Sequence, residues 1–315
     1  MTTMSDLGTI GGFDPDDLAP RHDVPSGGRS GFLVVEGRQV HYLEWGHANQ
    51  PPVLCLHGGG QTAYMFEELG SALGRDHHVL APDLPGHGDS DPMPSFDMTR
   101  QALALAVEPL CEAFGFDRSV IIGASLGGIT AITLAAARPD LVGGIVLIDI
   151  GTRLEDEGVR KIVEFLRAHE SFASLAEAAT EIARYLPHRQ QVRPESLTRN
   201  LRQRPDGRWV WKHSLGRRWR AYQAAATTTA TDPDPSDWRT MMAGMEQEAA
   251  ALACPVLVLR GAFSDVLSDE GAVEVASLIP DARLETVHNA GHLAAGDNPG
   301  STINLVSRFL ADIQW

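Results

Sequence analysis

Apolar runs punctuate the chain at regular intervals, and their internal pattern predicts which are strands and which are helices. Residues 32–35 and 39–43, joined by Glu36-Gly37-Arg38, read as a hairpin that opens a sheet. Residues 52–56 (Pro-Val-Leu-Cys-Leu) are apolar throughout, as expected of a strand covered on both faces. Further strands are expected at 78–81, 119–122, 144–149, 254–261 and 283–287. Helical periodicity falls between them, at 62–73, 98–114, 129–137, 270–278 and 301–313, with a kink expected at Pro109. Strands alternating with helices predict an α/β fold: a mostly parallel central sheet flanked by helices, with functional groups at the carboxyl ends of the strands.

The alternation stops at Gly151 and resumes at Cys254. The domain expectation is therefore a flexible N-terminal leader at 1–31, a core built from 32–151 and 238–315, and an inserted helical cap at 152–237. Within the cap, Pro205-Asp206-Gly207 signals a turn.

Candidate chemistry concentrates where strands end. After the run 119–122 comes Gly123-Ala124-Ser125-Leu126-Gly127-Gly128 and then a helix. A serine at so sharp a strand-to-helix turn stands clear of the sheet, and small neighbours let strand and helix close around it. The Leu126 amide, at the helix N-terminus, points where negative charge would develop. The strand 52–56 runs into His57-Gly58-Gly59-Gly60, whose exposed backbone N–H groups suit a second donor to an oxyanion. A serine hydroxyl needs a base, and the base an acid. Asp265 follows one late strand in Gly261-Ala262-Phe263-Ser264-Asp265, and His292 follows the next in Asn289-Ala290-Gly291-His292. His87, in Asp83-Leu84-Pro85-Gly86-His87-Gly88-Asp89-Ser90-Asp91, is read as part of a structural turn.

Composition narrows the partners. The 315 residues carry a net charge of −15, with a pI near 5.2, which argues against general nucleic-acid binding. No secretory signal or membrane-spanning run is visible, so a cytoplasmic location and no membrane partner are expected. Cys55, Cys111 and Cys254 each sit in an apolar run without metal-ligand spacing and are expected to be buried, reduced thiols.

Taken together, these motifs resemble the α/β-hydrolase family across residues 32–315. The resemblance implies a cofactor-independent serine hydrolase cleaving a small, carboxylate-bearing ester, lactone, amide or C–C (vinylogous ketone) substrate, with Ser125 as nucleophile, His292 as general base and Asp265 as its acid. The amides of Leu126 and Gly59 would form the oxyanion hole, with Gly60 as the rival second donor. Asp149, at the end of the strand 144–149, is an alternative acid site in some relatives; Asp265 is preferred because its flanking residues match the usual acid motif. A serine at the elbow excludes the haloalkane dehalogenases and epoxide hydrolases, which place an aspartate there. The segment around Arg204–Lys212 is similar to the caps of carbon–carbon-bond, enol-lactone and amide hydrolases of ring-cleavage pathways. The stretch His292-Leu293-Ala294-Ala295-Gly296-Asp297 resembles the cofactor-free perhydrolases, and some members of the fold are small-molecule receptors; both remain alternatives.

The cap suggests the substrate. Between residues 184 and 220, eleven basic residues face two acidic ones. They are Arg184, Arg189, Arg193, Arg199, Arg202, Arg204, Arg208, Lys212, Arg217, Arg218 and Arg220. Solvated or core-paired arginines are one reading; a guanidinium clamp on a substrate carboxylate is the other. Trp209, Trp211 and Trp219 are expected chiefly to anchor the cap. Gly60, Tyr64, Arg184 and Trp211 are the candidate substrate contacts. The expected partners are a small-molecule substrate, with an anionic one in view, and a second copy of the chain in a homodimer.

Overall fold

The computed structural model describes residues 28–94, 97–187, 192–216 and 238–315. Eight strands form the central sheet: β1 (Arg29–Val35), β2 (Arg38–Trp45), β3 (Pro52–Leu56), β4 (His78–Pro82), β5 (Ser119–Ala124), β6 (Val142–Ile148), β10 (Val256–Gly261) and β11 (Ala282–Val287). Their order is β1-β2-β4-β3-β5-β6-β10-β11. Only β2 runs against its neighbours; every other pairing is parallel. The parallel strands are buried on both faces because their two side-chain sets enter two different cores. Leu54, Leu56, Ile121, Ile145 and Leu147 face one core; Val53, Cys55, Val120, Ile122, Val146 and Ile148 face the other.

Helices α1 (Glu67–Leu73), α2 (Arg100–Ala113) and α3 (Leu126–Ala137) connect the first six strands. Thr99 caps α2 by accepting from the Ala102 amide, and the helix runs through Pro109. The predicted helix at 62–73 begins as a 3-10 turn, Ala63–Phe66, before α1. At the N-terminal side, residues 1–27 lie outside the described residues. The expected leader is shortened at its end, because Arg29, Ser30 and Gly31 already pair with β2.

Between β6 and β10 lie α4 (Asp156–Ala168), β7 (Ser171–Phe172), α5 (Leu175–Tyr185), β8 (Leu201–Gln203) and β9 (Trp209–Trp211), followed by α6 (Trp238–Met242) and α7 (Met245–Ala250). The insert is not purely helical as expected: β7, β9 and β8 form a three-stranded antiparallel sheet. The Trp209-Val210-Trp211 triplet has the aromatic and β-branched side chains that strands favour. The predicted Pro205-Asp206-Gly207 turn closes its hairpin, with the Arg204 amide donating to the Arg208 carbonyl at 2.8 Å. The insert has its own small core of Phe172, Ala178, Ile182, Leu197 and Leu201. The chain ends with α8 (Asp269–Leu278), α9 (Ala294–Asp297) and α10 (Pro299–Ala311). All three cysteines are buried and unpaired, and no helix among the described residues is long and apolar enough to cross a membrane.

Candidate active site

Ser125 sits between β5 and α3 with φ 48° and ψ −114°, a backbone conformation costly for a side-chain-bearing residue. It is held there by its neighbours. Its amide donates to the Ile148 carbonyl at 3.1 Å, and its carbonyl accepts from Gly128 and Ile129 at 2.9 and 3.0 Å. The small residues around it are obligatory. A Cβ on Gly127 would lie 1.9 Å from the Leu56 carbonyl oxygen, and one on Gly123 would lie 2.5 Å from that of Gly127. Leu126 is the first residue of α3, so its amide has no carbonyl within the helix to bond.

The glycine loop after β3 packs beside this elbow. A Cβ on Gly58 would touch Ser125 Cβ at 3.4 Å, and one on Gly59 would lie 4.0 Å from Leu126 Cδ2. The Gly60 amide is already engaged, donating to His87 Nε2 at 3.1 Å. No acceptor among the described residues takes the Gly59 amide. Of the two rivals for the second donor, Gly59 is the one left open.

His292 Nδ1 bonds Asp149 Oδ2 at 2.7 Å, and its Nε2 has no partner among the described residues. This corrects the expected acid. Asp149 follows β6 at φ 52°, and its side chain is wholly buried. Its carboxylate also accepts from the Gly261 amide at 2.8 Å and the Ser264 hydroxyl at 2.5 Å. A buried carboxylate needs such partners, and Asp149 has three. Asp265 instead turns outward: its side chain is 55% exposed and pairs with Lys161 of α4 at 3.1 Å. Within the predicted acid loop, Ser264 is the residue that reaches inward, carrying Asp149 rather than His292. The signal for Asp149 lay in its neighbours, since a lone carboxylate between Ile148 and Ile150, both fully buried, has to be partnered.

Ser125, Gly59, Gly60, Leu126 and His292 all line one cavity of about 280 Å³ between the sheet edge and the insert. The rest of its wall is mostly apolar and includes Met65, Met98, Ile129, Ile162, Phe165 and Leu197. Trp211 also lines it and is fixed by donating from Nε1 to the His169 carbonyl at 2.6 Å. Asp297 accepts from the Gly291 amide at 3.0 Å, so the stretch after His292 serves to hold that histidine's loop.

Two expected contacts are elsewhere. Tyr64 is buried beside His41, with the Arg199 guanidinium 5.7 Å from its ring, and does not line the cavity. Arg184 lies on the surface, paired with Glu181 at 2.5 Å. Five other described basic residues of the insert are similarly occupied. Arg199 bonds Glu67 at 2.8 Å, Arg204 pairs with Asp206 at 2.7 Å, Arg208 donates to Ser171 at 2.8 Å and Lys212 pairs with Asp89 at 3.1 Å. Arg202 donates to the Gly88 carbonyl at 3.3 Å. Among the described residues, no lysine or arginine lines the cavity. Arg189, Arg217, Arg218, Trp219 and Arg220 lie outside the described residues.

A second Ser-His-Asp series is present away from the cavity. Ser30 Oγ lies 2.8 Å from His41 Nε2, and His41 Nδ1 lies 2.7 Å from Asp83 Oδ2. All three are buried and none lines the cavity, so this series braces the fold. Burial raises the Asp83 carboxyl, but the His41 hydrogen bond and neighbouring charge outweigh it and hold it below the ordinary carboxylate range. His41, Asp83 and Asp89 are also the one group among the described residues with metal-ligand spacing, within 4.8 Å of one another. Their donor atoms are already taken: Asp83 also accepts from the Ala63 and Asp89 amides, and the Lys212 ammonium occupies Asp89.

Fold and site together define a hydrolase of the α/β type. The chain belongs to the α/β-hydrolase-fold family, whose match spans residues 51–299. Among curated relatives, the esterase Rv0045c of Mycobacterium tuberculosis is 29% identical over 286 residues, covering 86% of each chain. The sn-1-specific diacylglycerol lipase ABHD11 of Mus musculus is 27% identical over 323 residues, covering 96% of each. Among solved structures, an α/β hydrolase from Novosphingobium aromaticivorans superimposes with a TM-score of 0.72 at 28% identity. It covers 90% of this chain and 98% of that one.

Proposed function

We propose that this hydrolase cleaves neutral carboxylic esters with an apolar acyl group of intermediate length, using Ser125, His292 and Asp149. The observation that carries the reading is the meeting of Ser125, His292, Gly59 and Leu126 in one mostly apolar cavity. Asp149 accepts from Nδ1–H of His292, so the Nε2 lone pair faces the cavity as a base. Ser125 Oγ attacks the ester carbonyl carbon as His292 Nε2 takes its proton, and the amides of Leu126 and Gly59 receive the charge on the carbonyl oxygen. Collapse of the adduct breaks the bond to the alkoxy oxygen, which leaves as the alcohol with the proton from His292. Water then attacks the acyl-enzyme, giving its proton to His292, and the acid is released with Ser125 restored.

Size and polarity set the substrate class. The cavity has room for several waters' worth of substrate atoms, so it suits an acyl chain well longer than acetyl. The lack of a lysine or arginine among its described lining residues favours a neutral chain over the carboxylated one expected from the insert's arginines. A panel of p-nitrophenyl esters from acetate to laurate, beside their ω-carboxylated counterparts, tests this. We expect kcat/KM to peak at intermediate length and to fall at least about tenfold on carboxylation. A preference for the carboxylated series contradicts the reading.

A further inference from the structure

We propose that His87 is a positioning residue of the oxyanion site, locking the glycine loop so that Gly59, not Gly60, presents its amide to the substrate. The inference rests on the ester-hydrolase reading above. Its basis is a reciprocal clasp between two loops. His57, from the loop after β3, accepts the Leu84 amide of the loop after β4 on Nε2 at 2.9 Å. His87, from that second loop, accepts the Gly60 amide of the first on Nε2 at 3.1 Å. Each loop thus contributes one imidazole acceptor and one backbone donor.

The remaining ring nitrogens fix the tautomers. Nδ1 of His57 faces the Gly58 carbonyl at 2.8 Å, and Nδ1 of His87 faces the Pro85 carbonyl at 3.1 Å. An imidazole that accepts on Nε2 while donating from Nδ1 is neutral. Both rings are fully buried, which disfavours the charged form of each. They meet edge to face with centroids 5.1 Å apart.

The loop needs such a clasp. Three consecutive glycines follow His57, and Gly60 sits at φ 77°; without a fixed partner such a run has many conformations of similar energy. Engaging the Gly60 amide removes one candidate donor and pins the loop beyond Gly59. The insert reinforces the second loop: the Ser214 amide donates to the Gly86 carbonyl at 2.7 Å, and His213 bridges His87 through the backbone. His87 touches no reacting atom in this account and acts through Gly60.

The test compares His87→Ala, His87→Asn and His87→Gln with the wild-type protein. The Oε1 of glutamine can reach the position of Nε2, whereas asparagine is one methylene short. We expect His87→Ala and His87→Asn to lose about 10- to 100-fold in kcat with KM changed less than about threefold, and His87→Gln to recover most of the loss. Affinity for a trifluoromethyl ketone, which forms an oxyanion adduct on a serine, should fall in parallel with kcat/KM. Affinity for the carboxylic acid product should stay unchanged. If His87→Ala does not fold, the Asn and Gln pair carries the comparison alone. The proposal is overturned if the folded Asn and Gln variants lose equal activity, if the loss lies in KM, or if all variants match wild type. Failure of the nucleophile reading would look different: Ser125→Ala would keep its esterase activity.

Discussion

Replacing Asp149 by asparagine separates the acid that holds His292 from the one its sequence motif suggests. Asp149 receives three hydrogen bonds, from His292 Nδ1 at 2.7 Å, Ser264 Oγ at 2.5 Å and the Gly261 amide at 2.8 Å. Asparagine keeps the shape and one acceptor oxygen. With that oxygen on Gly261, its NH₂ faces His292, and the imidazole must shift its proton from Nδ1 to Nε2 to accept. The lone pair that should receive the Ser125 proton is then gone. A wrong-tautomer histidine costs on the order of 10³- to 10⁴-fold in kcat, equivalent to a barrier higher by about 4–5.5 kcal/mol. Asp265→Asn removes only an exposed contact with Lys161, so its kcat should stay within about twofold of wild type. The assay is steady-state hydrolysis of the best p-nitrophenyl ester, with circular dichroism to establish that both variants fold. If Asp149→Asn stays within about tenfold of wild type while Asp265→Asn loses more than about a hundredfold, the assignment is wrong.

Two further outcomes follow from the packing. Gly127→Ala would push a Cβ to 1.9 Å from a backbone oxygen of β3, so urea unfolding should show a loss of about 1–3 kcal/mol. Gly300→Ala, in α10 with nothing within 4 Å of its new Cβ, should be neutral or gain up to about 1 kcal/mol, and the reverse ranking would undercut the packing argument. Burial lowers His213 to about 4, and neither ring nitrogen has a partner among the described residues. The unfolded chain takes up this proton near 6.5 and the folded one does not until lower pH. Stability present at neutral pH is therefore lost as pH falls from about 6.5 toward 4, by about 1.4 kcal/mol per pH unit. His213→Phe should flatten the measured slope by that amount between pH 6 and 5; parallel slopes would refute it.

The sequence revealed most where local pattern and tertiary demand coincide. The continuous apolar runs of β3, β5 and β6 could only be strands covered on both sides, and the glycines around Ser125 could only serve close packing. Asp149 was harder to read because the motif around Asp265 matches at the level of neighbours in sequence. What separates the two carboxylates in the structure is tertiary: Asp149 points inward to His292, and the Asp265 loop is covered by α4 at Gly158. A Cβ there would lie 2.0 Å from the Asp265 carbonyl, so the helix lies against that loop, and the Asp265 side chain turns outward to Lys161. The choice between Gly59 and Gly60 depended on His87, which reaches across from a loop 27 residues away. The insert's arginines were legible as a charge excess but not as partners: Glu67, Asp89 and the Gly88 carbonyl, which engage Arg199, Lys212 and Arg202, lie far upstream in sequence. Its small sheet has no sequence signature because strands of two and three residues carry no periodicity.

The proposed chemistry turns on one hydroxyl, and covalent labelling interrogates it directly. Incubation with a fluorophosphonate, followed by intact-mass measurement and peptide mapping, should show a single adduct on Ser125. Ser125→Ala should remain unlabelled, and Asp149→Asn should label at least about a hundredfold more slowly. Labelling that persists in Ser125→Ala, or an adduct mapped to Ser30 or another residue, would contradict the account.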